Sequence, residues 1–228
     1  MAQDTKLRRK DLKEPDEFIV AGSDFLAFLT HNKNLLIGLL LVVALVVGGF
    51  MFMANQKKAE ISRLETLYFQ MTQKVKDSKG EMGSQLITDL KSLLDQIKEG
   101  PQRSRAQLLL ADIQYQTKNY DEAIALFQSV ADKSPVGTLN SNLAHSGMAY
   151  SYENKKDFKS AIDHFKKIVD HPGEFPLFYT HLGLSRCYES ASDSKNAILI
   201  LREMETKFPK HASLDKVKLA LKRLEGSA

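Results

Sequence analysis

The chain has 228 residues, with 32 lysines and arginines against 28 aspartates and glutamates, a formal net charge of +4 at pH 7. The surplus is spread thinly and not clustered, which excludes the basic footprint of a nucleic-acid-binding face. A single cysteine, Cys187, excludes an intramolecular disulfide.

Residues 1–17 are highly charged, interrupted by Pro15, and are expected to be disordered. The charges of the tail cancel: Lys6, Arg8, Arg9, Lys10, Lys13 and Lys33 stand against Asp4, Asp11, Glu14, Asp16, Glu17 and Asp24. Phe18 to Leu29 is apolar on most faces and predicts a short helix. It suits either a helix lying in a membrane interface or a plain helical lead-in to the apolar run beyond it.

Leu35 to Ala54 reads LLIGLLLVVALVVGGFMFMA, with no charge, amide or proline. At about 1.5 Å per residue its length matches a bilayer core of roughly 30 Å, and a helix satisfies its own backbone there. It predicts a transmembrane helix in contact with the lipid bilayer. A cleaved signal peptide fits poorly, because Phe52 occupies the place where a small residue would precede the cut. The expectation is a retained anchor. Orientation stays open on charge alone: six basic residues in the tail favour a cytoplasmic tail, whereas Lys57, Lys58 and Arg63 locally outnumber Lys33.

From Asn55 to Ala228 the chain is long enough for one domain with its own core. Ile61, Leu64, Leu67, Tyr68, Met71 and Val75 recur at helical spacing, which predicts an amphipathic helix continuing from the anchor. Gly80 and Gly83 break it. Leu86, Ile87, Leu90, Leu93, Leu94 and Ile97 predict a second helix, stopped by Gly100-Pro101. No stretch alternates with a period of two, so the fold class read here is all-α.

Beyond Pro101 the sequence repeats itself. NYDEAIALF at 119–127 returns as KDFKSAIDHF at 156–165 and as DSKNAILIL at 193–201, with the alanines 38 and 36 residues apart. Such self-similarity predicts stacked helical hairpins. The first helix of each unit carries a small residue at Ala111, Ala149 and Ser185, and an aromatic at Tyr152 and Tyr188, with Tyr115 one place late. Its partner carries Ala123, Ala161 and Ala197, then Phe127, Phe165 and Leu201. Pro135 and Pro209 close the units, with Pro172 one place early in the middle copy. This pattern resembles the tetratricopeptide repeat, a helix–turn–helix unit of about 34 residues. The resemblance implies an α-solenoid: a degenerate first hairpin within 55–100, three repeats over 101–210, and a capping helix over 211–228 built on Leu214, Val217, Leu219, Leu221 and Leu224.

The layout of tail (1–34), anchor (35–54) and repeat body also resembles a narrower group of bacterial inner-membrane proteins. The ancillary subunit family of the SecYEG translocon belongs to it. The resemblance includes the tail stretch Leu7-Arg8-Arg9-Lys10-Asp11-Leu12-Lys13-Glu14-Pro15-Asp16-Glu17-Phe18. It implies a cytoplasmic tail, a periplasmic body, and partners such as the translocon or periplasmic chaperones and their clients.

No signature of catalysis is present: there is no G-x-S-x-G, H-E-x-x-H, phosphate-binding glycine loop or dinucleotide fingerprint. The chain therefore reads as non-enzymatic, with no cofactor, metal or small-molecule substrate expected. His145 and His181 occupy equivalent repeat positions, which explains them without a zinc site.

The family's groove positions map onto Arg105, Leu108, Asp112 and Tyr115, then Leu143, Ser146, Tyr150 and Glu153, then Tyr179, Leu182, Arg186 and Glu189. The Lys/Asn/Arg cluster with which some members clamp a terminal carboxylate is missing. Tyr115, Tyr150 and Tyr179 with the leucines suit apolar or mixed segments, or else pack between neighbouring repeats. The function implied is a membrane-anchored protein-interaction module serving export or envelope assembly. The alternative is a structural or regulatory protein that self-associates through its juxtamembrane helix.

Overall fold

The computed structural model of the chain describes residues 17–226; apart from Glu17, the stretch 1–17 expected to be disordered lies outside the described residues. Among the described residues there are ten helices and no strand, so the fold is all-α. They fall into two compact units, Met1–Ile61 and Ser62–Ala228.

In the first unit, α1 (Glu17–His31) stops at Asn32, whose backbone and side-chain nitrogens both donate to Phe28 O at 3.0 Å. α2 (Lys33–Asp77) starts at once, with Leu35 and Leu36 donating back to Asn32 O. Phe25, Leu26 and Phe28 of α1 are exposed, and so, apart from half-buried Leu36, are the large apolar side chains of α2 as far as Met53. An 18-residue window of α2 has a mean hydropathy of 2.9 with none of it buried. Of the described helices, α2 is the one long and apolar enough to cross a membrane.

In the second unit the last turns of α2 meet α3 (Ser84–Gln96), after a turn in which Lys79 and Gly80 take positive φ. Leu64, Leu67 and Met71 pack on Leu90, Leu94 and Ile97, and α4 closes the cluster with Ala106, Leu110 and Ile113. Ile61 stands outside it, 44% exposed, because the packed stripe begins only at Leu64. Three hairpins follow: α4 (Pro101–Gln116) with α5 (Tyr120–Ala131), α6 (Leu139–Asn154) with α7 (Phe158–Asp170), and α8 (Phe178–Ser190) with α9 (Ser194–Lys207).

Each hairpin turns by the same local chemistry. Lys118, Lys156 and Ser192 take left-handed φ of 64°, 62° and 61° just past their helices. The next residue then donates back to the helix end: Asn119 N to Gln114 O, Asp157 N to Tyr152 O and Asp193 N to Tyr188 O, all at 2.8–2.9 Å. That closure satisfies carbonyls the helix end would leave bare, which offsets the cost of a non-glycine residue in this region. Asp157 and Asp193 start the second helix by accepting from the backbone nitrogens of Ser160 and Asn196. The connections between repeats use glycine instead. A Cβ on Gly173 (φ 51°) would strike the carbonyl oxygen of Gly137 in the preceding connection.

Where the paired helices cross, Ala123, Ala161 and Ala197 are fully buried, as are Ala111 and Ala149; Ser185 is 4% exposed. One helical turn on, Phe127, Phe165 and Leu201 are buried too. Phe127 lies on Gly147 of α6, and Phe165 on Gly183 of α8, so closely that a Cβ on either glycine would fall on the ring. These contacts form separate clusters in series, each shared between neighbouring helices. In the first repeat Gln114 fills the place held by Tyr152 and Tyr188. It is buried and accepts from Asn119 Nδ2 at 2.8 Å, which leaves Tyr115 turned to another face.

α10 (Leu214–Glu225) covers the last hairpin with Val217, Leu221 and Leu224, and with Leu214 partly buried. Leu219 does not join them and is 71% exposed. At about 100° per residue it sits far round the helix from Val217 and Leu221, so its place in the expected cap is corrected here.

Close packing at the alanines leads to a direct expectation. Ala161→Leu should destabilise by about 1–3 kcal/mol through overpacking. Ala125→Leu adds the same atoms to the same kind of helix at an exposed position and should be nearly neutral. Thermal melts of the two full-length variants in detergent compare them directly. Matching midpoints would mean that the repeat register is wrong.

Candidate peptide groove

The mapped groove residues all lie on the first helices α4, α6 and α8, whose exposed faces are tied together by polar contacts. Arg105 on α4 donates from Nη1 to both carboxylate oxygens of Glu65 on α2, at 3.0 and 3.3 Å. Its guanidinium lies 4.2 Å from the ring centre of Tyr68, a cation–π contact. Arg186 on α8 grips Glu153 on α6 through two parallel bonds of 2.9 and 3.0 Å. Arg223 on α10 donates to Glu189 on α8 at 2.7 Å. Between α4 and α6 the link is neutral: Asn154 Nδ2 donates to the Tyr115 hydroxyl at 3.0 Å.

Several mapped positions are thus engaged within the chain. Arg105, Glu153 and Arg186 serve as clasps between successive first helices, and the bond that Arg186 donates to Glu153 raises the arginine's pKa. Leu108 and Leu182 are half-buried against neighbouring core clusters. Tyr150 is half-buried, edge-on to Phe165 at 5.2 Å, with its hydroxyl donating to Tyr179 O at 3.4 Å. Tyr115 is half-buried and tilted against Tyr120 at 5.7 Å. Burial pushes the pKa of both tyrosines up. Leu143 and Tyr179 are 40% and 55% exposed.

Asp112 differs from the other charged positions. Among the described residues it has no ion-pair or hydrogen-bond partner. It lines a recess of about 150 Å³ with Tyr115, Leu143, Ser146 and Tyr150, over a floor of Phe127 and Gly147. The residue as a whole is exposed, yet its carboxyl is crowded enough for burial to push its pKa up.

Sequence reasoning did not single out Glu65, Tyr68 and Asn154 as parts of this face, nor Gly147 and Gly183 as seats for the aromatic rings. The two glycines, 36 residues apart and each five before the repeat tyrosine of its helix (Tyr152 and Tyr188), were legible as a repeat feature. Glu65 and Tyr68 carry no such period.

On the other side of the hairpin, His145 Nδ1 and His164 Nδ1 lie 3.1 Å apart, and Tyr152 stacks on His164 with an interplanar angle of 8°. At that distance one nitrogen donates and the other accepts, so both rings cannot be protonated in this arrangement. No third acidic, cysteine or histidine ligand joins them among the described residues. His181 is fully buried, its Nδ1 donating to Leu177 O at 2.9 Å. Cys187 is also buried, which pushes its thiol up to about 12 and keeps it protonated.

A family profile described as a tetratricopeptide repeat-like domain matches residues 27–175, a stretch that takes in the apolar part of α2 and the hairpins as far as α7. Among curated proteins none matches the chain significantly. Two crystal structures of nearly identical TPR-like repeats, from a Podosopora anserina protein described as a kinesin light chain, are similar in fold. They align over 72% of this chain and 85% of theirs, with TM-scores of 0.60 and 0.59 and 16% identity.

The paired histidines set a pH dependence. Burial, then Lys167, then His145 hold the pKa of His164 down to about 4, below its ordinary 6.5. As pH falls through 6.5 the unfolded chain takes up this proton before the folded one does, so stability declines from about pH 6.5 to about pH 4. His164→Asn should melt with a shallower acid dependence across that window. Parallel curves for the two proteins would remove His164 from the account.

Proposed function

Because the chain belongs to the tetratricopeptide repeat-like domain family, we propose that it is a membrane-anchored, non-enzymatic module that holds other proteins at a bacterial inner membrane, in protein export or envelope assembly. The interaction role follows from the fold, since such solenoids bind extended or helical segments along the face of their first helices. The observation that carries this reading here is the face itself. Leu143 and Tyr179 stand exposed beside Tyr150, on helices locked in register by the Arg186–Glu153 clasp. Aromatic and aliphatic groups on a rigid frame make effective anchors for a partner segment.

The membrane role rests on α2. A run of exposed apolar side chains from Leu35 to Met53 far exceeds the isolated apolar residues a water-facing surface tolerates. In this reading residues 1–34 are a cytoplasmic tail, 35–54 span the bilayer, and 55–100 form the juxtamembrane helix and a degenerate hairpin. The repeats (101–210) and cap (211–228) stand in the periplasm. Resemblance of the layout to the ancillary SecYEG subunit family supports that orientation and names the translocon, periplasmic chaperones and their clients as partner classes.

Two experiments test the parts separately. Alkaline phosphatase fused after Ala228 should be active in cells, and activity only from a cytoplasmic reporter at that site would reverse the topology. A photo-crosslinking residue at Tyr179 should capture other proteins in native membranes, whereas the same probe at Ala125 should not. Equal capture from the two positions, or none from Tyr179, would argue against this groove.

A further inference from the structure

The charged residues on the first-helix face cancel in pairs, with one exception. Glu65 meets Arg105, Glu153 meets Arg186 and Glu189 meets Arg223. Asp112 meets no cation among the described residues, and it stands at the exposed edge of a recess. The α6 side chains lining that recess are Leu143, Ser146 and Tyr150, none of which can neutralise a carboxylate.

The chain also shows what such a position holds when it is filled. On α2 a carboxylate and a tyrosine three residues apart, Glu65 and Tyr68, together hold a guanidinium: the carboxylate bonds to Arg105 and the ring lies under it at 4.2 Å. On α4 the same pair recurs at the same spacing in Asp112 and Tyr115, which places both on one face of the helix. Here no arginine meets the carboxylate: Arg186, clasped to Glu153, stands beside Tyr150 and leaves Asp112 unpaired. The recess of about 150 Å³ has room for roughly five waters or one long side chain. Its floor is fixed, because the Phe127 ring lies directly on Gly147. Tyr150 joins Tyr115 in the lining and adds a second aromatic ring.

We propose that the recess of Asp112, Tyr115 and Tyr150 receives an arginine side chain, or in its place a lysine, from the protein segment bound along the first-helix face. The inference rests on the groove reading above and adds its anchor. Asp112 supplies the countercharge, the two tyrosines lend aromatic surface to the cationic group, and Leu143 and Tyr179 take the apolar residues beside it. A bound cation also relieves the cost of holding a partly desolvated carboxylate, which burial alone drives toward its neutral form. A segment with a basic residue flanked by apolar ones is the partner chemistry that fits.

The test uses the full-length protein in nanodiscs and an array of randomised nine-residue peptides, each arginine-containing member printed beside a copy carrying neutral citrulline. Bound members should prefer arginine to citrulline by about tenfold or more, the scale of one charge-assisted contact. Asp112→Asn should abolish that preference and leave binding of purely apolar members unchanged. Leu143→Arg, which puts an internal cation at the recess and removes an apolar contact, should abolish the preference too and also weaken binding of the apolar members. Peptides bound without any preference for arginine would overturn the inference and leave the groove standing. No binding to any member would tell against the groove and remove the inference with it. A change in the protein's own oligomeric state on Asp112→Asn, read by mass photometry, would make the occupant a second copy of this chain and refute the assignment.

Discussion

Phe127 and Phe165 reach the next repeat only because α6 and α8 present glycine where each ring arrives. The ring of one hairpin lies on bare backbone of the next, and the alanines at 123 and 161 bring the paired helices close enough for that reach. Remove the space on either side of the ring and the two hairpins separate. The stacking of the solenoid, and so the spacing of its first helices, depends on this contact. Each ring contributes about 1.5–3 kcal/mol by burial alone, so a few such seats account for much of what orders one repeat against another.

The hairpins were legible because their requirements repeat. An alanine that must be small, a large apolar side chain one turn later and a proline near the end of the unit recur at nearly constant spacing, and the alanines and their large partners are buried where the periodicity puts them. What escaped reading depended on neighbours outside the repeat. Leu219 looks like a core residue by type, but only its angle relative to Val217 and Leu221 shows that it faces water. The left-handed turns at Lys118, Lys156 and Ser192 gave no signal, since no glycine or asparagine marks them; a hydrogen bond reaching back into the helix end makes them tolerable.

The mapped positions all fall on the first helices, but their engagement within the chain was not legible. Residue types gave the mixed apolar and charged character of that face. They did not show which charges were already spent. Arg186 and Glu153 lie on different repeats, and only the stacking brings them together in a two-bonded clasp. Glu65 and Tyr68 come from a hairpin too degenerate for the repeat pattern to register, yet they hold Arg105 in place. Once those pairs are assigned, the face that seemed richly charged is nearly neutral, and the single unmatched carboxylate stands out.

The division of the interior into clusters in series has a mechanical consequence. A protein with one central core yields all at once, whereas this one is a chain of links, each able to open while its neighbours hold. A segment lying across α4, α6 and α8 touches several links together, so it acts as a splint along the array. Occupancy would then be felt as stiffness at positions it never contacts, and the empty domain would be the more yielding one. Such a body can shape itself to a partner before gripping it.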